Sequence, residues 1–203
     1  MEPEALWYFG IFVGFVASAY FSGCETGIYR LNRVRLRLAQ QHGRPKAGLL
    51  RRLVADVPGL ICVTLIGTNL GNYLATALAT RLWVEAAPEA SDLYASLMAT
   101  VTIAPLLFLF AELLPKNLYN ADADRLMFAG ARPLWLSNLL FRGLGLVALL
   151  KGVGRLGMLA SGAGRRGARP MGDLFPARAR LRSIVRDSAA EGVVTPYQNE
   201  LVE

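Results

Sequence analysis

Three long stretches of the chain contain no charged residue, and they constrain the fold more than any other feature. They cover residues 5–24, 57–80 and 93–111, and are 20, 24 and 19 residues long. Because an α-helix needs about 20 apolar residues to cross the core of a bilayer, each stretch is long enough for one crossing. The composition agrees, since 54% of the 203 residues are hydrophobic and 18% are charged. The sequence therefore predicts an all-α integral membrane protein.

The basic residues predict the orientation. Between residues 30 and 52 the chain carries eight arginines and lysines and no acid, whereas the loop after the second stretch has Arg81 against three acids. An excess of basic residues marks the cytoplasmic side, which places the amino terminus outside and the carboxyl terminus in the cytoplasm. The same rule accounts for the net charge of +7, so nucleic-acid binding is not expected.

The segment 125–150 follows a different pattern, because Arg132, Pro133 and Arg142 divide it into short uncharged pieces. Basic residues flank it on both sides, and a single crossing cannot have both ends in the cytoplasm. We therefore predict two short helices that break near Pro133 and form a re-entrant hairpin, with a fourth spanning helix as the alternative.

The predicted organisation has two parts. Residues 1–152 form a transmembrane domain with helices at about 5–30, 57–82 and 92–115 and the broken hairpin at about 125–150. Residues 153–203 form a cytoplasmic basic linker, with an amphipathic basic helix over 178–188 and the start of a connecting helix near the end.

The first polar patch lies near the inner end of the first helix, at Ser22, Gly23 and Glu25. Glycine lets a backbone or an ion approach closely, and the serine supplies a hydroxyl oxygen. The alternatives are that Ser22 bonds its own helix backbone and that Glu25, close to Arg30, anchors the helix at the interface.

The second patch lies in the middle of the second helix, at Gly67, Asn69, Gly71 and Asn72. The two asparagines are three residues apart and share a face. Small residues and amides also pack membrane helices together without a ligand, so helix packing is the alternative here. With a rise of about 1.5 Å per residue, Asn72 is about 24 Å above Asp56, which is high for a site near the cytoplasmic side. Asn69 fits the depth slightly better.

The third patch surrounds Glu112, a carboxylate at the end of an apolar helix and therefore a costly residue. Pro115 has no N–H and leaves a carbonyl near Ala111 without its helical donor, which makes that carbonyl a candidate ligand. The alternative for Glu112 is an interfacial pair with Lys116, four residues later.

Together the patches offer one carboxylate, one or two amide carbonyls, a hydroxyl and backbone carbonyls, without a histidine or cysteine cluster. Such oxygen ligands suit a hard cation, namely Mg²⁺, Ca²⁺ or Na⁺, rather than zinc or copper. No nucleophile with a neighbouring base is recognisable, and the single histidine, His42, lies in the basic loop. No catalytic residue is therefore predicted, and the protein is not expected to be an enzyme.

The succession of FSGCETGIYRLN, LIGTNLGNYLATALAT and FAELLPKN resembles the membrane domain of the CorC/cyclin M (CNNM) magnesium transporter family. The resemblance covers about residues 6–150, with the three motifs in the order that the family has. It implies three spanning helices with short broken helices, a homodimer in the lipid of the cell inner membrane, and a Mg²⁺ site open to the cytoplasm. The implied activity is Mg²⁺ efflux coupled to inward Na⁺.

The same resemblance implies Ser22, Asn72 and Glu112 as the ligands. At Thr68, where family members commonly have asparagine, this sequence departs from the pattern, so the choice between Asn69 and Asn72 stays open. The glycines, Glu25, Pro115 and Lys116 are supporting residues. Family members usually continue into paired cytoplasmic CBS domains that bind nucleotide, and this sequence has none, which is expected of a truncated chain or a minimal member. The alternative function is a membrane-anchored scaffold or regulatory subunit without transport activity.

Overall fold

The computed structural model describes residues 3–89 and 91–160, and every element within them is helical. The elements follow the order α1 (Pro3–Arg30), α2 (Arg33–Gln41), α3 (Ala47–Leu53), α4 (Val57–Ala86), α5 (Asp92–Leu106), a π-helical segment (Leu107–Leu113), α6 (Leu114–Ala121), α7 (Ala123–Gly143) and α8 (Leu146–Ala160). The prediction of an all-α membrane protein is confirmed. The basic linker was predicted to begin at residue 153, but residues 153–160 belong to α8. The rest of the linker, the helix over 178–188 and the connecting helix lie outside the described residues.

Three helical stretches are long and apolar enough to cross a membrane, namely Ala5–Arg30, Val57–Ala86 and Asp92–Ala121. The third, which joins α5, the π-helical segment and α6, continues beyond the predicted end near residue 115. Pro115 does not end it, because the helical backbone runs from the π-helical segment into α6 through this residue, the second of α6.

The bent pair of helices also appears, but the break is not where the sequence predicted it. Helix α7 continues through Pro133 to Gly143, and α7 and α8 then meet at an angle of 76°. The prediction of a break at Pro133 is wrong. The chain turns instead at Gly145, whose φ of 73° is a left-handed conformation that glycine adopts without strain.

Pro133 is tolerated within α7 because a side chain replaces the one backbone donor that it lacks. In a regular helix, residue 133 would donate to the carbonyl of Ala129. Here Lys46 Nζ donates to the Ala129 oxygen over 3.2 Å, and the Tyr20 hydroxyl donates to the next carbonyl, that of Gly130, over 2.6 Å. Both carbonyls are therefore satisfied from outside the helix.

Helices α1 and α4 pack with their backbones in contact. A Cβ built on Gly14 would lie 2.8 Å from the Gly71 oxygen, and one built on Gly71 would lie 2.7 Å from the Gly14 oxygen. Gly10 meets Leu78 at one end of this contact and Phe21 meets Gly67 at the other, so the two helices run antiparallel. Small residues at intervals of four allow such an approach between membrane helices. The sequence supplies them as Gly10, Gly14, Ser18 and Ser22 on α1 and as Gly67, Gly71, Ala75 and Ala79 on α4.

Helix α1 also packs against the third span and α7, which makes it the central helix of the bundle. Gly23 and Gly27 lie against the ring of Tyr119 in α6, and Gly27 also meets the side chain of Met127 in α7. The cysteine between these glycines, Cys24, is fully buried, with its sulfur 3.6 Å from the Tyr119 hydroxyl. The helices that carry the other two polar patches, α4 and the third span, thus both pack against α1.

Candidate polar site in the membrane

The first two polar patches meet through a direct hydrogen bond between Ser18 and Asn72. Ser18 is fully buried, and its Oγ donates to Asn72 Oδ1 over 2.6 Å. The sequence interpretation missed Ser18, although it lies four residues before Ser22 and so on the same face of α1. Asn72 is therefore level with the turn of α1 before Ser22, which agrees with the height that the depth estimate assigned to it.

Asn69 takes a different position from Asn72. Its side chain is exposed, and its Nδ2 donates to the carbonyl of Leu65 on its own helix over 2.8 Å. Of the two amides that the sequence left open, only Asn72 bonds to a side chain of α1 in the part of the chain that the structure describes.

Two buried hydroxyls lack a hydrogen-bond partner among the described residues, those of Ser22 and Thr68. Ser22 is 1% exposed, so water does not solvate it from the surface. Other hydroxyls in these helices bond to a carbonyl of their own helix, namely those of Thr64, Thr80, Thr100 and Thr102. The alternative considered for Ser22 was such a bond to its own helix backbone, and Ser22 does not make it. A buried polar group without a partner costs about 1–3 kcal/mol and calls for an ion, a water or another explanation.

Glu112 lies in the π-helical segment, where the backbone bonding changes. The Leu114 N–H donates to the carbonyl of Leu109, five residues back. The Phe110 carbonyl thereby loses its α-helical donor, and its π-helical donor would be residue 115, a proline without an N–H. Ala111, as the sequence predicted, loses its α-helical donor to the same proline. Carbonyl oxygens available for a ligand are thus expected next to Glu112, and π-helical turns often occur at functional sites.

Three small residues bring the patches into one neighbourhood. Ala75 of α4 and Ala111 of the π-helical segment belong to one buried cluster, and Ala19 of α1 packs against it. Each of these alanines is a close sequence neighbour of a predicted site residue, namely Asn72, Glu112 and Ser22. The helical segments that carry the three patches therefore pack against one another at these alanines.

The supporting acidic and basic residues form a pair of their own. Lys116 Nζ lies 3.9 Å from Glu25 Oε2, and both side chains are partly exposed. Among the described residues, Glu112 has no ion pair, so the alternative in which Lys116 neutralises Glu112 is not observed. The half-buried Glu112 follows Ala111 of this cluster directly in the sequence.

The supporting glycines have packing roles. Gly67 lies against the ring of Phe21, Gly23 against the ring of Tyr119, and Gly71 against the backbone of Ser18. The packing alternative therefore holds for the glycines of the second patch. It also accommodates Asn72, because the hydrogen bond from Ser18 to its amide oxygen is the kind of contact by which amides pack membrane helices together. It does not account for the unpartnered hydroxyl of Ser22.

An apolar layer separates this neighbourhood from a cavity at the opposite end of the bundle from the basic loop. The cavity has a volume of about 580 Å³ and lies between α1, α4 and α5, with Tyr8, Trp83 and Glu85 in its wall. Ile11 and Ile103 line the cavity and also pack against the cluster of Ala75 and Ala111. Apolar side chains thus stand between the cavity and the polar residues below it.

The chemistry available here is that of oxygen ligands. Within residues 3–89 and 91–160, no three histidine, cysteine, aspartate or glutamate side chains come together as a metal site. A cation held by these residues would be bound by hydroxyl, amide and carbonyl oxygens with one carboxylate. Such a set favours a hard cation over a transition metal.

Comparison with known proteins gives a consistent result. The family model described as the cyclin M transmembrane N-terminal domain matches residues 9–198. The chain is 40% identical over 101 residues to the UPF0053 inner membrane protein YfjD of Escherichia coli, an alignment that covers 50% of this chain and 23% of that protein. It is 28% identical over 160 residues to a UPF0053 protein of Haemophilus influenzae, with 73% of this chain and 37% of that protein covered.

A plant protein extends the similarity over most of the chain. The chloroplastic DUF21 domain-containing protein At1g55930 of Arabidopsis thaliana is 29% identical over 188 residues, which are 92% of this chain and 27% of that protein. The matched part is thus well under half the length of each of these three relatives.

Proposed function

Since this chain belongs to the cyclin M transmembrane N-terminal domain family, we propose that it is the membrane domain of a magnesium transporter. Its substrate is a Mg²⁺ ion that has given up water to protein oxygens, and transport is efflux driven by inward Na⁺. The protein is a transporter and not an enzyme. The resemblance in the three motifs supports the choice of ion, and the oxygen chemistry of the polar site agrees with it.

The observation that carries the proposal is the buried Ser22 hydroxyl without a partner. A helix normally satisfies a serine by a bond to the preceding turn, and at Ser22 this does not occur. A bound cation would repay the desolvation of that oxygen, whereas helix packing alone would leave its cost uncompensated.

In this proposal each patch supplies one oxygen to the ion. Ser22 supplies a hydroxyl, Asn72 an amide carbonyl and Glu112 the formal charge, and backbone carbonyls beside Glu112 complete the set. Mg²⁺ requires nearly octahedral geometry and gives up its water reluctantly, so its ligands must be held firmly. The hydrogen bond from Ser18 to Asn72 provides such a constraint, which makes Ser18 a positioning residue.

The proposal also includes the location, orientation and oligomeric state of the protein. The protein lies in the inner membrane, as the name of the Escherichia coli relative states for that protein, and crosses it several times. Its amino terminus is outside and its basic loop is in the cytoplasm. It forms a homodimer, and in the full-length protein cytoplasmic CBS domains follow the membrane domain.

The first test is calorimetric titration of the purified protein with Mg²⁺. Glu112→Gln removes the charge without a change in shape, so we expect Mg²⁺ affinity to fall by at least tenfold. Asp92→Asn, an exposed carboxylate in the first turn of α5, is the matched control and should bind as the wild type does. If Glu112→Gln yields no folded protein, Ser22→Ala takes its place with a smaller expected loss. Unchanged affinity in both variants would overturn the site.

The second test separates transport from a scaffold role. In liposomes, a Na⁺ gradient should drive Mg²⁺ movement by the full-length protein, and Glu112→Gln should abolish it. A scaffold predicts no Mg²⁺ movement, and it predicts that Glu112→Gln weakens the dimer instead. A thermal-shift titration with Mg²⁺, Ca²⁺ and Na⁺ identifies the ion that the protein prefers.

A further inference from the structure

A second site lies outside the membrane-spanning segments, in the short helices that follow α1. A cavity of about 500 Å³ opens between α2 and α3, and its wall is formed by Arg37, Gln40, Gln41 and Arg51. Among the residues that the structure describes, no acidic side chain lines it. Arginine and glutamine are donors of hydrogen bonds, so the cavity has the character of an anion site.

The arginines of this cavity differ from the neighbouring basic residues, which bond to other parts of the fold. Arg33 donates to the carbonyl of Val54, Arg35 pairs with Asp124, and Lys46 donates to the carbonyl of Ala129. Each of these residues ties α2 or the following loop to another helix. Arg37 has no hydrogen-bond or ion-pair partner among the residues that the structure describes.

Arg51 has a partner, but a neutral one. Its guanidinium donates to Gln40 Oε1 over 2.6 Å, which also fixes the direction of the Gln40 side chain. With its oxygen occupied, the Gln40 amide can still donate through Nε2. The cavity therefore presents two positive charges and an oriented amide donor, with no carboxylate between residues 30 and 52 to neutralise them.

We propose that this cavity binds a phosphate group. Two guanidinium groups offer the forked donor pairs that match phosphate oxygens, and the amide of Gln40 adds a further hydrogen bond. A carboxylate has two oxygens and would use fewer of these donors than a phosphate. The ligand class is thus a phosphate ester or free phosphate, and the site lies at the basic end of the bundle.

The surroundings favour the headgroup of an anionic phospholipid as the source of that phosphate. Helix α2 begins three residues after α1 ends, so it lies close to the end of a membrane-spanning helix. Val34 and Leu38, four residues apart on α2, are 65% and 48% exposed and form an apolar strip beside Arg37. Such a strip next to arginines is typical of a helix at the membrane surface, where acyl chains cover the apolar side.

The test is lipid binding by native mass spectrometry of the full chain in detergent. Phosphatidylglycerol is titrated against phosphatidylcholine, whose headgroup carries no net charge. In wild type we expect phosphatidylglycerol to bind at least fivefold more tightly than phosphatidylcholine, and in Arg37→Gln/Arg51→Gln we expect that preference to disappear. The double variant Arg44→Gln/Arg52→Gln, which removes two exposed charges from the same loop outside the cavity, should keep it.

A second arm uses inorganic phosphate as the probe in a thermal-shift titration of the same variants. Stabilisation that depends on Arg37 and Arg51, without a preference for phosphatidylglycerol, supports the site with soluble phosphate as its source. If neither probe distinguishes the cavity variant from the control variant, the proposal is overturned. Should the double variant not fold, Arg37→Gln alone carries the test. No Mg²⁺ is present in either arm, so the outcome is independent of the transport proposal.

Discussion

Lys46 Nζ donates to the carbonyl oxygen of Ala129 over 3.2 Å, and that carbonyl is the one that Pro133 leaves without its helical donor. A residue of the basic loop thus completes the hydrogen bonding of a helix 83 positions away in sequence. Tyr20 donates to the next carbonyl, that of Gly130, from within α1. The proline can remain in α7 because Lys46 supplies the donor that it removes.

The first prediction concerns this pair. Lys46→Met should lower the free energy of unfolding by about 1 kcal/mol, because the Ala129 carbonyl loses its charged donor. Pro133→Ala restores a backbone N–H at the position that donates to Ala129, so in that background Lys46→Met should cost much less. Thermal unfolding of the four proteins of this cycle measures the coupling. An equal cost of Lys46→Met in both backgrounds would contradict the interpretation.

The second prediction concerns Ser18 as a positioning residue. Ser18→Ala removes the donor to Asn72 Oδ1 in a fully buried place, so it should destabilise the protein by about 1–2 kcal/mol. Mg²⁺ affinity should fall several-fold, less than in Glu112→Gln, since Asn72 keeps its oxygen but loses its fixed direction. Ser96→Ala, at an exposed position in α5, is the control for both measurements. A Ser18→Ala variant that is destabilised while its Mg²⁺ affinity is unchanged would assign Ser18 to packing alone.

The third prediction concerns the contact between α1 and α4. The Cβ of Gly71→Ala would lie 2.7 Å from both the Gly14 oxygen and the Ser18 nitrogen, which are backbone atoms that cannot turn aside. We expect destabilisation of about 1–3 kcal/mol from this overpacking. Gly143→Ala, whose Cβ would meet no atom within 4 Å, should be close to neutral. Melting temperatures in the same detergent compare the two, and equal values would argue against the backbone contact.

The fourth prediction concerns Asp56, which caps α4 and accepts hydrogen bonds from Arg142 and from Lys151, the latter over 2.7 Å. Partial burial acts to raise the pKa of Asp56, but the hydrogen bonds of Lys151 and the Gly59 amide, with the charges of Lys151 and Arg142, outweigh it and lower the pKa. A lowered pKa in the folded state means that Asp56 stabilises the protein above the unfolded pKa of about 3.9, and that this contribution is lost as the pH falls further.

Asp56→Asn should therefore melt at a lower temperature than wild type near neutral pH, and the gap should narrow below about pH 4. Melting curves of both proteins over that pH range make the comparison. Asp92→Asn is the control, and its melting temperature should stay close to that of wild type at every pH. A gap between wild type and Asp56→Asn that stays constant from neutral to acidic pH would show that the carboxylate charge is not what matters.

The parts of the fold that follow from local composition were predictable. Charge-free length predicted the three spans, because the bilayer core admits few charged side chains in any arrangement. The turn between α7 and α8 was misplaced because Pro133 is a strong local signal, and its compensation by Lys46 depends on a tertiary contact. Gly145, the residue that makes the turn, is one of 20 glycines and carries no distinguishing signal in the sequence.

The candidate site shows the same limit. Ser22, Asn72 and Glu112 stand out as polar residues in apolar stretches. The partnership of Ser18 with Asn72 follows from the antiparallel register of α1 and α4, which the spacing of small residues permits but does not fix. The separation of Asn69 from Asn72 is also a matter of register, since a shift of three residues along α4 changes which amide meets α1.

The backbone contact between Gly14 and Gly71 also has a mechanical consequence. Main chains in direct contact leave no side chain between the helices that could change rotamer, so we expect α1 and α4 to behave as one rigid unit. The third span differs from this pair, because the π-helical turn around Glu112 departs from regular α-helical bonding.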